Sequence, residues 1–136
     1  MPAIATFNLC NFSANIGAKR LARLGALIAG DLAGPDLLAV QEVTGEPLTA
    51  PDMPTAASTA YQALIATIIQ AGGPSYEFCE VAPRPGHDGG MAGANIRVGL
   101  LFNPATVSLP KRGQAGPEDP TGIRLRQGRP ELTLNP

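Results

Sequence analysis

The run PDLLAVQEV, residues 35–43, constrains the fold more strongly than any other stretch of the sequence. It starts at a proline, continues through the consecutive apolar residues 37–40, and closes on Gln41 and Glu42. Strands that are apolar on both faces lie inside sheets whose two faces are covered. The run therefore predicts an interior strand, with Glu42 just beyond the carboxyl end of its buried part.

The segments on either side of this run alternate between two kinds of pattern. Apolar residues at helical spacing predict helices over about 18–33 and 56–73. Strand-like patterns occur at 3–9, 37–43, 76–82, 95–104 and 105–110, the last two as a hairpin that turns at Asn103-Pro104, with weaker candidates at 123–125 and 131–134. The order β-α-β-α-β-β-β predicts one mixed β-sheet of the α/β class, with α+β character and helices on one face.

The composition bounds the class of protein. With 136 residues, of which 44% are hydrophobic, the chain has the size and apolar content of a single domain with a core. Charged residues make up only 15%, so we expect part of the apolar surface to be covered by another chain or segment. No apolar run is long enough to span a membrane and no export signal is visible, so we expect a soluble protein, without membrane contacts and cytoplasmic by default.

Charged residues and cysteines carry weaker signals. The net charge of −1 gives the chain as a whole no attraction for nucleic acid. Five of the ten basic residues lie after position 110, where they either line a phosphate-binding groove or belong to a solvated tail: Lys111, Arg112, Arg124, Arg126 and Arg129. Cys10 and Cys79 fit neither a disulfide scaffold nor a zinc site, so we expect two free and mostly buried thiols.

Two polar side chains follow predicted strands in the same way. Asn8 lies at the end of the first strand, and Glu42 lies at the end of the interior strand. If the helical crossover makes these strands parallel neighbours, both side chains emerge at one edge of the sheet, where α/β folds place their chemistry. A single carboxylate is how proteins commonly hold Mg²⁺, with water and phosphate completing the octahedron. The alternative is structural, with Glu42 capping a turn and Asn8 forming an Asx-turn.

Three blocks of sequence resemble those of a known family. They are TFNLCNF at 6–12, PDLLAVQEV at 35–43 and GGMAGANIRVGLLFNPATVSL at 89–109. Together, in this order, they are similar to the first motifs of the endonuclease/exonuclease/phosphatase superfamily, closest to its branch of large bacterial extracellular-type nucleases. The resemblance covers about residues 3–109.

The resemblance implies roles for individual residues. Glu42 matches the family's metal-binding glutamate, and Asn8 matches its active-site asparagine beside the metal and the scissile phosphate. Both therefore become candidate catalytic and metal-site residues, for Mg²⁺ or alternatively Mn²⁺ or Ca²⁺. Asn11 matches a second asparagine, for which we expect a role in turn geometry. Cys10 stands where this branch usually has glutamate, which puts a second acidic contribution in doubt but not the metal site, since other branches vary at this position.

For Gln41 and Arg97, which lie within the matching blocks, we expect structural roles. Gln41, which precedes the glutamate, is expected to support the strand ends rather than take part in chemistry. Asn95 and Arg97 fall in the third block. Alternation along that strand favours a solvated, outward-facing Arg97 over a phosphate contact.

The family fold is a four-layer α/β/β/α sandwich, and the resemblance covers only its first half. We therefore expect residues 1–136 to be a partial domain, with a weakly structured tail over 111–136. The open sheet face would then bind the missing half or drive self-association. The family's later blocks, which carry the Asp-x-Asn motif and the His–Asp pair that activates water, do not occur in the sequence. His87 and Asp88, in a glycine-rich loop, are expected to be solvated.

The function expected from the resemblance is Mg²⁺-dependent hydrolysis of a phosphodiester, with nucleic acid or another phosphate ester as substrate. Since the water-activating pair is missing, the chain by itself is expected to be inactive. Two alternatives stay open. The chain is a degenerate, non-catalytic fragment or interaction module, or it belongs to a lipid or sugar phosphatase of the same superfamily.

Overall fold

The computed structural model describes residues 1–46, 56–80, 82–83 and 95–108, and the backbone alone of three short strands after residue 108. Its centre is a four-stranded mixed sheet in the order β1-β2-β4-β3. Strand β1 runs parallel to β2, and β4 runs antiparallel to both β2 and β3. The strands are β1 Ile4–Phe12, β2 Leu37–Thr44, β3 Glu77–Glu80 and β4 Ile96–Phe102. The predicted mixed sheet and the interior position of the 37–43 strand are confirmed.

Two helices pack side by side on one face of this sheet. Helix α1, Ala18–Ala26, continues into a π-helical turn over Leu27–Asp31, and α2 spans Ser58–Gln70. The core between helices and sheet is formed by apolar side chains at alternating strand positions and at helical spacing. Its largest fully buried members are Leu9, Phe12, Ile28, Leu38, Val40, Tyr61, Leu64, Ile68 and Leu101. The crossover through α1 is what makes β1 and β2 parallel.

The other face of the sheet is only partly covered. A small second cluster on this face consists of strand residues alone: Leu37, Leu100, Phe102 and Val107. Ile4 at one end is 70% exposed, and Val98 at the other is 62% exposed. The described helices contribute nothing to this cluster, so the sheet has one well-packed face and one face with accessible apolar side chains.

The predicted hairpin of 95–104 with 105–110 is wrong. The chain does turn at Asn103, whose carbonyl accepts hydrogen bonds from the amides of Thr106 and Val107. Strand β5, Val107–Ser108, then pairs with a later strand, β8, Thr133–Leu134. It cannot join β4, because β4 already has β2 on one side and β3 on the other. Two further short strands, β6 over Ala115–Glu118 and β7 over Arg124–Arg126, pair with each other.

The structure also bears on the expectations for the two cysteines and for membrane contacts. Cys10 is exposed and Cys79 is partly exposed, so the expectation of buried thiols is wrong. At Cys10 the cause is a distortion of β1, described below, which turns the side chain outward. No helix in the described residues is long and apolar enough to cross a membrane.

Candidate functional site

The parallel ladder between β1 and β2 is interrupted near its carboxyl end. Pairing is regular from Ile4 to Asn8, which lies opposite Gln41, and resumes only where Phe12 lies opposite Val43. Glu42 is the single β2 residue between these pairs, against three residues of β1. On its other side, β2 also shifts register against β4 between Val40 and Val43. Against β4, β2 is the strand with the extra residue, Gln41 and Glu42 facing Val98 alone, whereas against β1 the extra residues belong to β1.

The bulge contains three residues in a left-handed backbone conformation. The φ angles are 53° at Cys10, 55° at Asn11 and 59° at Glu42. Asparagine tolerates this region, but cysteine and glutamate adopt it at a cost of about 1–3 kcal/mol each. Such strained residues cluster at functional sites, so three of them at the end of two parallel strands mark this edge of the sheet.

The strained residues are joined through the side chains of Asn8 and Glu42. Asn8 Nδ2 donates to Glu42 Oε1 at 2.9 Å, and the backbone N–H of Asn11 donates to Glu42 Oε2 at 3.0 Å. The backbone N–H of Cys10 donates to Asn8 Oδ1 at 2.8 Å, which fixes the orientation of that amide. This bond between residues i and i+2 is the Asx-turn hydrogen bond that the structural alternative predicted for Asn8. The structure therefore brings the two predicted site residues into direct contact, at the predicted edge.

Asn11 and Gln41 match their structural interpretations. Asn11 has the turn geometry expected of it and contributes its backbone N–H to the site. Gln41 Nε2 donates to Thr6 Oγ1 at 2.7 Å and so links the two parallel strands one pair before the bulge. Among the described hydrogen bonds, neither the Asn11 nor the Gln41 side chain bonds to the Glu42 carboxylate.

Arg20 is a site-supporting residue that the sequence analysis did not identify. Its Nη2 donates to the carbonyl oxygens of Leu9 and Cys10, at 2.6 Å in both cases. These two carbonyls belong to the distorted part of β1 and have lost their regular partners in the ladder. The one available signal was the unfavourable basic charge in the first turn of α1. Arg20 is tolerated there because its guanidinium supplies hydrogen bonds to the two carbonyl oxygens of the bulge.

The expectation of an outward-facing Arg97 is wrong. The Arg97 side chain is 1% exposed, and its Nη1 lies 3.0 Å from Glu80 Oε1 in an ion pair. Its Nη2 donates to Asn95 Oδ1. Alternation along β4 directs Arg97 toward the helices, on the same side as Leu101. The residue is buried because Glu80 of the neighbouring strand and Asn95 supply its charge partner and acceptor.

Close backbone approaches surround this buried group. A Cβ at Gly45 would collide with the side-chain ends of Arg97 and Asn95, so a larger residue where the chain leaves β2 would displace these two side chains. Tyr61 packs over Gly99 and stacks on Phe78 with a centroid distance of 4.5 Å. Burial, followed by the nearby Glu80 carboxylate, raises the pKa of the Tyr61 phenol. Tyr61 is therefore a neutral packing element beneath the edge that carries Glu42.

The donor set at this edge fits a weakly held Mg²⁺. Within the described ranges, no group of three or more His, Cys, Asp or Glu side chains converges in a way that could hold a metal ion. Glu42 is partly exposed, and its two oxygens offer about four lone-pair positions, of which hydrogen bonds use two. A single accessible carboxylate with free lone pairs is the minimal protein contribution that Mg²⁺ requires.

Several sequence predictions fall outside the described residues. His87, Asp88 and the glycine-rich stretch around them lie in the range 84–94. Lys111, Arg112 and Arg129 also lie outside the described residues, as do the side chains of Arg124 and Arg126.

Comparison with known proteins gives no further assignment. No protein-family model matches the sequence, and no curated protein matches it significantly.

Proposed function

We propose that this chain carries half of the active site of a Mg²⁺-dependent phosphodiester hydrolase of the nuclease type. The observation that supports this proposal is the Glu42 carboxylate, held between Asn8 and Asn11 at the carboxyl ends of two parallel strands. The backbone there is left-handed at Cys10 and Asn11 of β1 and at Glu42 of β2, and a purely structural carboxylate does not require such strain.

Each residue of the site has a role that follows from its contacts. The Glu42 carboxylate would bind the cation through its free lone pairs. Asn8 accepts from Cys10 through Oδ1 and donates to Glu42 through Nδ2, so it orients the carboxylate and keeps a second N–H for a phosphate oxygen. We therefore assign Asn8 primarily to orienting Glu42 and contacting phosphate, with Glu42 as the cation's main protein ligand.

The cation would supply stabilisation of the negative charge that develops on the phosphate oxygens. Activation of the attacking water requires a positioned general base. Within the described residues, nothing near Glu42 fills this role. We expect the 136-residue chain by itself to show little or no hydrolysis, and we expect a second polypeptide segment to complete the site.

The partly covered sheet face indicates where that segment would pack. Ile4 and Val98 are largely exposed on the face opposite the helices, while Leu37 and Phe102 are already buried there. A second sheet placed on this face would complete a four-layer α/β/β/α sandwich and would approach the same edge as Glu42. The same apolar face also supports the alternative of a non-catalytic interaction module, which would need the face but not the cation.

Cation binding separates these two functions. Mn²⁺, which can replace Mg²⁺ and is visible by electron paramagnetic resonance, is titrated into the purified chain and into the variants E42Q and D36N. We expect binding to the wild-type chain and to D36N, and loss of binding in E42Q, because glutamine keeps the shape but loses the charge. Equal binding by E42Q would overturn the proposed site and leave the interaction module.

A plasmid-nicking assay on the same samples checks the expected inactivity. Mg²⁺-dependent nicking by the wild-type chain that is absent in E42Q would show that the chain is a complete enzyme, against our expectation.

A further inference from the structure

Beside the site, the buried residues Asn95 and Arg97 and the partly exposed Glu80 form one polar group, which we refer to as the Arg97 cluster. It joins three elements at the edge of the sheet where Glu42 lies. Arg97 and Glu80 form the ion pair between β4 and β3, and Asn95 directly precedes β4. The cluster does not contact the Glu42 carboxylate in any described hydrogen bond, so its role must act through the backbone.

The connection to Glu42 runs through the residues that follow it. Val43 lies directly opposite Arg97 in the β2–β4 ladder. The backbone N–H of Gly45 donates to the Asn95 carbonyl at 2.9 Å, and Asn95 Nδ2 donates to the Glu46 carbonyl at 3.4 Å. Residues 43–46 are therefore held by Asn95 and by the backbone of Arg97, and the Arg97 side chain acts on them by orienting the Asn95 amide, to which its Nη2 donates.

Stability does not explain the presence of this cluster. A buried ion pair contributes little more than well-packed apolar side chains of the same volume, and often less. Arg97 Nε is also buried without a hydrogen-bond partner among the described residues. Unpaired buried polar atoms carry a desolvation cost. A cluster that contributes little or nothing to stability is better explained by what it holds in place.

What it holds in place is the register of β2. The strain at Glu42 would be relieved if the end of β2 slipped by one residue, which would also turn the carboxylate to the other face. Before the bulge, β2 is fixed by its ladders with β1 and β4. After the bulge, Arg97 and Asn95 fix it again. With both sides fixed, Glu42 alone must absorb the extra residue, at its φ of 59°.

We propose that Arg97 and Glu80 are positioning residues that lock the register of β2 beyond Glu42 and thereby present its carboxylate to Asn8, Asn11 and the cation. The link to the cation rests on the proposed function, whereas the link to Asn8 and Asn11 does not. Residues that orient a metal ligand typically change metal affinity by about 10- to 100-fold when they are replaced.

The test uses the double variant R97M/E80M, which removes both charges together. Paired removal leaves neither charge unpartnered, but Asn95 Oδ1 loses its donor, so we expect a folded protein with an unfolding temperature moderately below that of the wild-type chain. The matched control is T106V, which removes a hydrogen bond to a carboxylate at the opposite edge of the sheet.

Two readouts are measured on each protein. The first is the amide proton shift of Asn11, which reports its hydrogen bond to Glu42 in the absence of any metal. The second is the Mn²⁺ dissociation constant. In R97M/E80M we expect the amide proton shift of Asn11 to move to the value of an amide that is hydrogen-bonded to water. We also expect the Mn²⁺ dissociation constant to rise by about 10- to 100-fold. In T106V both should match the wild type.

Each outcome decides the inference. A folded double variant with wild-type values of both readouts overturns it. If the wild-type chain binds no Mn²⁺, the proposed function fails, and the Asn11 shift alone decides whether the Arg97 cluster positions Glu42. If the double variant does not fold, R97K is measured instead. It keeps the charge but loses the planar fork, and an unchanged Asn11 shift in R97K overturns the inference.

Discussion

The two ends of the parallel β1–β2 pair each carry a carboxylate, and the two carboxylates are bonded in nearly the same way. At the amino end, Asp36 accepts from the backbone N–H of Ala3 and from Thr106 Oγ1, both at 2.6 Å. At the carboxyl end, Glu42 accepts from the backbone N–H of Asn11 and from the side chain of Asn8. Each carboxylate has one backbone donor and one side-chain donor.

The difference lies in the backbone that presents them. Asp36 lies in the bend that leads into β2, and its bonds tie the start of β1 to the turn after β4. The left-handed residues before it, Ala33 and Gly34, belong to the end of the preceding helix, where their backbone N–H groups donate to Gly30 and Ile28. Glu42 sits in a left-handed bulge with two further left-handed residues opposite it. Hydrogen bonding alone does not distinguish a structural carboxylate from a candidate ligand. Backbone strain that no packing requirement explains does distinguish them.

The largest expected effect concerns the ion pair behind the Glu42 edge. Replacing Arg97 by methionine alone leaves Glu80 without its charge partner. Because the Glu80 side chain is 16% exposed, we expect a loss in the free energy of unfolding near the lower end of the range of about 3–5 kcal/mol that applies to fully buried pairs. Urea denaturation of R97M beside R97M/E80M measures this loss. The double variant should recover most of it. If R97M is as stable as the wild-type chain, Glu80 does not depend on Arg97 as its charge partner, and the prediction is wrong.

A smaller effect is expected from the strain at Cys10. A β-branched side chain fits the left-handed conformation poorly, so C10V should lower the free energy of unfolding by about 1–2 kcal/mol. C10G is the matched control, since glycine adopts this conformation without steric cost. Thermal unfolding of both variants measures the difference. Equal stabilities would show that the bulge is not strained, and the distinction between the two edges would lose its basis.

The smallest effect concerns pH at the Asp36 edge. The hydrogen bond from Thr106, followed by that from Ala3, holds the pKa of Asp36 below its ordinary value of 3.8. Because the pKa of Asp36 is lower in the folded protein than in the unfolded chain, the ionised carboxylate stabilises the fold at pH values above the unfolded pKa. This stabilisation is lost as the pH falls through the folded pKa. T106V should therefore unfold at a lower temperature than the wild type at neutral pH, with the gap narrowing below pH 3.8. A gap that widens on acidification would contradict this assignment.

The sequence was sufficient for the parts of the fold that depend on continuous patterns. The apolar run 37–40 predicted the interior strand, and the helix between two strands predicted their parallel pairing. The contact between Asn8 and Glu42 follows from these two features, because parallel strands place their carboxyl ends at one edge. Their role with a cation stays a prediction.

The sequence was insufficient where partners are distant along the chain. Arg97 is buried because of Glu80, which lies 17 positions earlier and reaches it only through the β3–β4 pairing. Alternation within β4 predicts which residues share a face of the sheet with Arg97, but it does not predict which of the two faces the helices cover. The left-handed Cys10 and Glu42 gave no signal either, since neither residue type marks that conformation. The hairpin error has the same origin, because only the sheet order shows that both edges of β4 are occupied.

The most direct test of the central claim is to locate the cation on the sheet. Substoichiometric Mn²⁺ is added to isotope-labelled chain, and the paramagnetic broadening of amide signals is compared between the two edges. We predict broadening of the signals of Asn8, Asn11 and Val43, while those of Ala3, Asp36 and Thr106 stay sharp. Equal broadening at both edges, or broadening confined to the Asp36 edge, would contradict the assignment of Glu42 as the metal-binding residue.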